Sequence, residues 1–219
     1  MIHASGEAAS SDHAPVPGRF ITIEGTDCAG KSTQARLLAD ALAAAGRPVL
    51  LTREPGGAPG AEALRGFLLA NTTDLDPLAE ALLHFAARTD HAARTLRPAL
   101  AAGLTIVCDR FFDSTMAYQG YGQGADQTSI TTLIHMLDLT PDLTFILDIP
   151  PDEEQRRRHA RNTSSDRYER LGPAFLERVR QGFHTIAKID PKRCTLLDAS
   201  APPPEVHARL LALTLARLA

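Results

Sequence analysis

Tryptophan is absent from this chain of 219 residues, and aromatic residues make up only 5% of it. An aromatic inside a polar motif is therefore conspicuous. Cysteine is scarce too: Cys28, Cys108 and Cys194 stand far apart with no paired spacing. That excludes a disulfide framework or a metal knuckle and makes a reducing cytoplasm the expected setting. No apolar run approaches the roughly 20 residues needed to cross a bilayer. No basic stretch followed by an apolar one opens the chain, so a signal peptide is not expected. Positive charge is not in excess either. A formal net charge of −3 argues against a general nucleic-acid binder, whose affinity rests on a basic surface. What remains is 44% hydrophobic and 22% charged, enough for one globular domain with a sizeable core.

Residues 1–18 are small, polar and dotted with proline, and read as a disordered extension outside the fold. From 19 to 219 apolar runs alternate with helical patterns, without repeats or an interdomain linker. Residues 20–24 form a short β-branched run that ends in a glycine loop, and 31–45 read as a helix closed by Gly46. Residues 48–52, 104–108, 143–149 and 194–198 read as further strands. Helical patterns lie at 60–70 and 77–101, twice between the third and fourth strands, after the fourth, and at the end. Strands each followed by helix predict a three-layer α/β fold, a five-stranded parallel sheet flanked by helices.

The first loop carries the strongest motif. Gly25, Thr26, Asp27, Cys28, Ala29, Gly30, Lys31 and Ser32 match G-x-x-x-x-G-K-[ST] in full, between a predicted strand and a predicted helix, and Thr33 just after them is expected to join them in binding ATP. Its glycines let backbone N–H groups curl around phosphate oxygens, and the helix N-terminus adds its positive end. Lys31 is expected at the β- and γ-phosphates and Ser32 on Mg²⁺. The motif implies the P-loop NTPase fold and nucleotide binding. It does not choose between kinase, motor and switch, because all three share it.

The acceptor must come from the other strand ends. The second strand ends in Thr52-Arg53-Glu54-Pro55-Gly56-Gly57 and the third in Asp109-Arg110-Phe111. In a doubly wound sheet the carboxyl ends of all strands open on one crevice, so these motifs are expected beside the phosphate loop. The planar guanidinium of an arginine grips two oxygens of a phosphate dianion at once. Asp109 supplies a carboxylate for Mg²⁺ or its water shell. Phe85 and Tyr118, taken by themselves, are as readily core residues on helices. His84 and His91 suggest solvated or core histidines rather than a metal pair.

Five stretches in order resemble the thymidylate kinase family over residues 19–218: EGTDCAGKSTQ, TREPGG, HFAARTDH, DRFFDSTMAYQGYGQG, and RRRHAR with DRYE. The resemblance implies transfer of phosphate from ATP to dTMP on the way to dTTP, with Mg²⁺, in a cytoplasmic homodimer that binds neither nucleic acid nor membrane. It implies Asp27 at the acceptor sugar's 3′-hydroxyl, and Arg53 and Arg110 on the acceptor phosphate. Phe85 is implied as a stack on thymine with Arg88 at the base edge, one helical turn on. Ser114 and Thr115 would bond the base, Tyr118 would stand at the 2′ position and favour deoxyribose, and Gln119 belongs to the same segment. Asp109 and Glu54 would organise the metal's water shell and Arg53.

Residues 156–161, RRRHAR, carry four arginines and by charge alone are a solvated helix face. The family type with a small residue inside the phosphate loop places its catalytic arginine in a lid, here about 150–166. Cys28 fits that bacterial type, and Arg158 or Arg161 is expected to reach the transferred phosphate. Two other functions stay open. One is a kinase with a different acceptor, such as a deoxynucleoside. The other is a nucleotide-binding switch without turnover, although no N-K-x-D follows the late strands.

Overall fold

The computed structural model describes residues 18–70, 74–161 and 168–218, with backbone alone at 161, 169 and 170. The extension expected over 1–18 lies outside the described residues except for Gly18, as does the lid beyond 161. The five expected strands form: β1 (Arg19–Gly25), β2 (Val49–Arg53), β3 (Thr105–Asp109), β4 (Leu143–Asp148) and β5 (Cys194–Asp198). They pair in parallel in the order β2-β3-β1-β4-β5, as the alternation of strands and helices predicts.

Side chains of successive strand residues point to opposite faces, and both faces are covered, so the central strands are mostly apolar, with Thr22, Glu24, Thr105 and Thr144 buried among them. On one face Ile21, Ile23, Val107 and Phe145 pack against Leu38 and Leu42 of α1 (Lys31–Ala44) and Leu210 of α9 (Pro203–Leu218). α2 (Pro59–Leu69) packs on α3 (Pro77–His91), followed by α4 (Arg97–Ala101) and α5 (Phe112–Thr115). Phe20 and Ile106 face the other way, against Leu96 and Ile130 of α6 (Gln127–Leu137). Ile146 meets Phe175 and Val179 of α8 (Pro173–Ile189). α7 (Pro151–Arg161) follows β4.

The helix expected over 77–101 is not uniform. Between α3 and α4, residues Ala92–Leu96 widen into a π-helical turn. Pro98 lacks an N–H and its ring would strike the carbonyl four residues back, and a wider turn relieves that clash. A second π-helical segment, Met116–Gly122, carries Tyr118 and Gln119. α8 approaches it closely: a Cβ at Gly122 would sit 2.6 Å from Phe175 Cε2. The strand register then sets the crevice. Arg53 lies opposite Asp109, and Asp109 opposite Ile23, so the ends of β2, β3 and β1 are level.

Candidate active site

The phosphate loop joins β1 to α1 through three residues with left-handed backbone: Gly25 (φ 130°), Cys28 (φ 62°) and Gly30 (φ 97°). At Gly25 a side chain is excluded twice, by this conformation and by the Leu147 carbonyl of β4 that its Cβ would strike. Lys31 is buried; its Nζ donates to the Thr26 carbonyl at 2.6 Å and lies 3.8 Å from Asp27 Oδ1. Burial pulls the Lys31 ammonium down to about 8, with Arg110 adding to the shift and Asp27 and Asp109 opposing it. Ser32 Oγ donates to Asp109 Oδ2 in a short hydrogen bond, bringing the two expected metal ligands together. Asp109 Oδ1 is buried without a hydrogen-bond partner among the described residues. A hydroxyl and a carboxylate are hard oxygen donors and fit Mg²⁺, which keeps most of its shell as water and phosphate oxygen.

Arg110 joins this loop to the acceptor side. Its own φ is 70°, a left-handed conformation that turns the chain sharply after β3. Nη1 donates to the Gly25 carbonyl (3.1 Å) and Ser114 Oγ (2.9 Å). Nη2 donates to Asp27 and to Tyr118 Oη, the latter at 3.3 Å, and the guanidinium lies 5.1 Å from the Tyr118 ring centre. Burial alone would raise the Asp27 carboxyl, but Arg110, Lys31 and Arg158 together hold it below the usual range. Burial pushes the Tyr118 phenol far up, so it stays protonated.

Behind Arg110 stands Glu24, which the sequence reading passed over. Fully buried, it accepts from Phe111 N (2.7 Å) and from Ser114 Oγ (2.5 Å), the same hydroxyl that receives Arg110. Burial, reinforced by Asp113, lifts its carboxyl to about 8. Its signal in the sequence was a lone acid at the end of an otherwise apolar strand.

The expected linkage of Glu54 to Arg53 is corrected. Glu54 is buried, and its oxygens receive Arg88 Nε (2.7 Å) and pair with His91 Nδ1 (2.9 Å). A buried carboxylate turns toward the buried guanidinium, where Coulomb attraction is least screened. Arg53 is exposed and pairs with Glu62 at 3.2 Å. A third arginine, Arg65 of α2, joins this edge: Nη1 donates to the Pro55 carbonyl at 2.6 Å. Burial and the charge of Arg53 pull its pKa down. Its place one turn after Glu62 on α2 was the available signal.

Arg88 is spent on the protein as well, with Nη1 on Thr115 Oγ1 (3.2 Å) and Nη2 on the Phe111 carbonyl (3.0 Å). Phe85 and Arg88 do share a face, but they meet each other, with the guanidinium 4.7 Å from the ring centre. Phe85 is 4% exposed and belongs to the core cluster of Phe111 and Phe112. Ser114, Thr115 and Gln119 line the same side, each bonded to a neighbouring side chain.

On α7, Arg158 pairs with Glu154 at 2.5 Å, and its charge is felt at Asp27. The side chain of Arg161 lies outside the described residues. Arg157, not singled out before, reaches the Ala199 carbonyl (2.8 Å) and the Cys28 carbonyl (3.5 Å). It walls a cavity of about 410 Å³ with Ala29, Thr33, Pro202 and Val206, beside the phosphate loop and remote from Tyr118 in the chain. That volume is in the range of ligand pockets.

The thymidylate kinase family model matches residues 23–210. A thymidylate kinase of Gluconobacter oxydans is 50% identical over 198 residues, 89% of this chain and 92% of that protein. One of Caulobacter vibrioides is 48% identical over 204 residues, 92% and 98% of the two chains. The crystal structure of thymidylate kinase from Ehrlichia chaffeensis aligns with a TM-score of 0.73 at 38% identity, covering 90% of this chain and 99% of that one.

Proposed function

The chain belongs to the thymidylate kinase family and phosphorylates dTMP to dTDP with ATP, and we propose the following division of work among its residues. The observation that carries it is Arg110, which spans from the phosphate loop at Asp27 to Tyr118 and puts a second anion grip across from Lys31. Lys31 and the loop backbone hold the ATP phosphates, and the cavity beside Arg157 takes the rest of ATP. Arg110, with Arg53 and Arg65 at the edge, holds the acceptor phosphate. An oxygen of that phosphate bonds to the γ-phosphorus as the bond to the β–γ bridging oxygen breaks, and ADP leaves. No strong base is required, since a phosphate dianion is already nucleophilic; positioning and charge neutralisation supply the catalysis. Ser32 and Asp109 would hold Mg²⁺, which would supply charge neutralisation on the ATP phosphates. Arg158, paired with Glu154 at 2.5 Å and felt at Asp27 through its charge, is the lid arginine assigned to the transferred phosphate.

A cytoplasmic setting agrees with Cys28, Cys108 and Cys194, none of which is in a disulfide. Among the described residues no helix is long and apolar enough to cross a membrane. Exposed Phe67 and Leu69 on α2, Leu82 on the adjoining α3 and Met136 on α6 support a homodimer through these helices. Sedimentation of a species of 23.5 kDa at micromolar concentration would contradict it. For the activity itself, ADP release is measured across a panel of nucleoside monophosphates. dTMP is expected to turn over fastest, and phosphorylation of thymidine in place of dTMP would overturn the assignment.

A further inference from the structure

Glu80, on the inner side of α3, is 1% exposed, yet it belongs to no group that grips a phosphate. Its Oε1 accepts from Gln119 Nε2 at 3.1 Å and from Tyr168 Oη in a short hydrogen bond, and Oε2 accepts from Gln123 Nε2 at 3.2 Å. Gln119 Nε2 also reaches Tyr168 Oη at 3.0 Å, closing a triangle. Three separate parts of the chain therefore meet on one carboxyl: α3, the π-helical segment that bears Tyr118, and the turn Tyr168–Leu171 before α8. Burial and the neighbouring Glu80 push the Tyr168 phenol well up, so it serves as a donor.

The consequence reaches Tyr118 through rings. Tyr168 stacks on Phe175 (centroids 6.0 Å apart, planes 11°) and presents its edge to Tyr118 at 5.0 Å. Tyr118 is otherwise backed by Phe175 and Phe183 at 6.2 and 6.3 Å. The hydroxyl is tied to Glu80 and Gln119, with His84 Nε2 at 3.5 Å, and the Tyr168 ring is one wall of the Tyr118 seat. A π-helical segment has poorer internal hydrogen-bond geometry than an α-helix, so its side-chain anchors weigh more.

We infer that Glu80 is a positioning residue that, through Tyr168 and Gln119, holds the Tyr118 ring forward and so sets how strictly the site refuses a 2′-hydroxyl on the acceptor. This rests on the reading of Tyr118 as the sugar-side residue. When the Tyr168 wall loosens, the Tyr118 ring recedes and the ribose is admitted.

The test compares dTMP with ribothymidine 5′-monophosphate, which differ only in that hydroxyl. Glu80→Gln and Tyr168→Phe are each expected to lower the ratio of kcat/KM for the two acceptors by roughly tenfold. The double variant is expected to lower it by less than the product of the two single effects, because both remove the shared Glu80–Tyr168 contact. KM for ATP stays within about twofold. A residue that only supports the fold depresses both acceptors in proportion and leaves the ratio alone. Tyr168→Phe removes a single oxygen and carries the test if the Glu80 variant folds poorly. Unchanged ratios in both variants, with a lowered ratio in Tyr118→Ala, overturn the inference while the sugar-side reading stands. An unchanged ratio in Tyr118→Ala overturns both.

Discussion

The two halves of the crevice are built by different means. On the ATP side the chain offers backbone: a loop running from Gly25 to Lys31 with left-handed positions at Gly25, Cys28 and Gly30, a shape that lets N–H groups curl around phosphate. On the acceptor side it offers side chains brought from distant segments, and nearly all of them are bonded to each other. Arg88 serves Glu54, Thr115 and the Phe111 carbonyl; Arg110 serves Asp27, Ser114 and Tyr118. A backbone cradle is local and tolerates change around it. A side-chain lattice is shared, so a substitution at one member is felt by others.

The largest effect should come from emptying each half in turn. Lys31→Ala is expected to cut kcat by about a thousandfold with acceptor KM little changed, since its charge counts most as the γ-phosphate moves. Arg110→Ala should instead lower kcat/KM for dTMP by about a hundredfold and leave KM for ATP within about twofold, the loss of a charge-assisted fork. Steady-state ADP release with each substrate varied separates the two. If Arg110→Ala disturbs ATP as much as dTMP, the halves are not independent, and the bonds of Arg110 to Gly25 and Asp27 are the route.

This division also explains what the sequence disclosed. The sheet, its parallel pairing and the phosphate loop follow from local pattern: largely apolar strands of five to seven residues, and glycines where φ is positive. The neighbourhood of the acceptor was equally legible, because Thr52 to Gly57 and Asp109 to Phe111 stand at strand ends that register side by side. Partner choice was not. That Glu54 turns to Arg88, 34 residues away, rather than to its neighbour Arg53 depends on which side of β2 faces α3. Phe85 was open between base and core for the same reason: periodicity places it on a helix face without saying what covers that face. Glu24 and Glu80 gave no motif at all. Single buried acids acquire meaning only from the donors the fold brings to them.

The misassigned Glu54 provides the next test of the lattice. Glu54→Gln leaves Arg88, 2% exposed, without its carboxylate, whereas Arg53→Ala removes an exposed pair. Breaking a buried ion pair costs about 3 kcal/mol or more, against roughly 0–1 kcal/mol at the surface. Urea unfolding of both variants should show this contrast. Equal losses would mean that Glu54 does face the crevice.

Glu24 gives the most specific effect, because it stands at the seam of the two halves. It ends β1, just before the phosphate loop, and through Ser114 and Phe111 N it supports the turn that carries Arg110. In the folded chain burial and Asp113 keep its proton on up to about 8, whereas an exposed glutamate releases it near 4.5. Between those values the native state binds a proton that the unfolded chain has lost. Folding stability from this group therefore falls as pH rises, by at most about 1.4 kcal/mol per pH unit, and its contribution levels off above about 8. Glu24→Gln has nothing to titrate and keeps the shape of the protonated form. The stability of wild type relative to this variant should thus decline from pH 5 to 8 and then hold steady, read from urea midpoints at each pH. A parallel pair of curves would mean that Glu24 is ionised throughout. Support for the Arg110 turn would then come from charge attraction across the seam, making the acceptor half a salt-sensitive ion network rather than a hydrogen-bonded one.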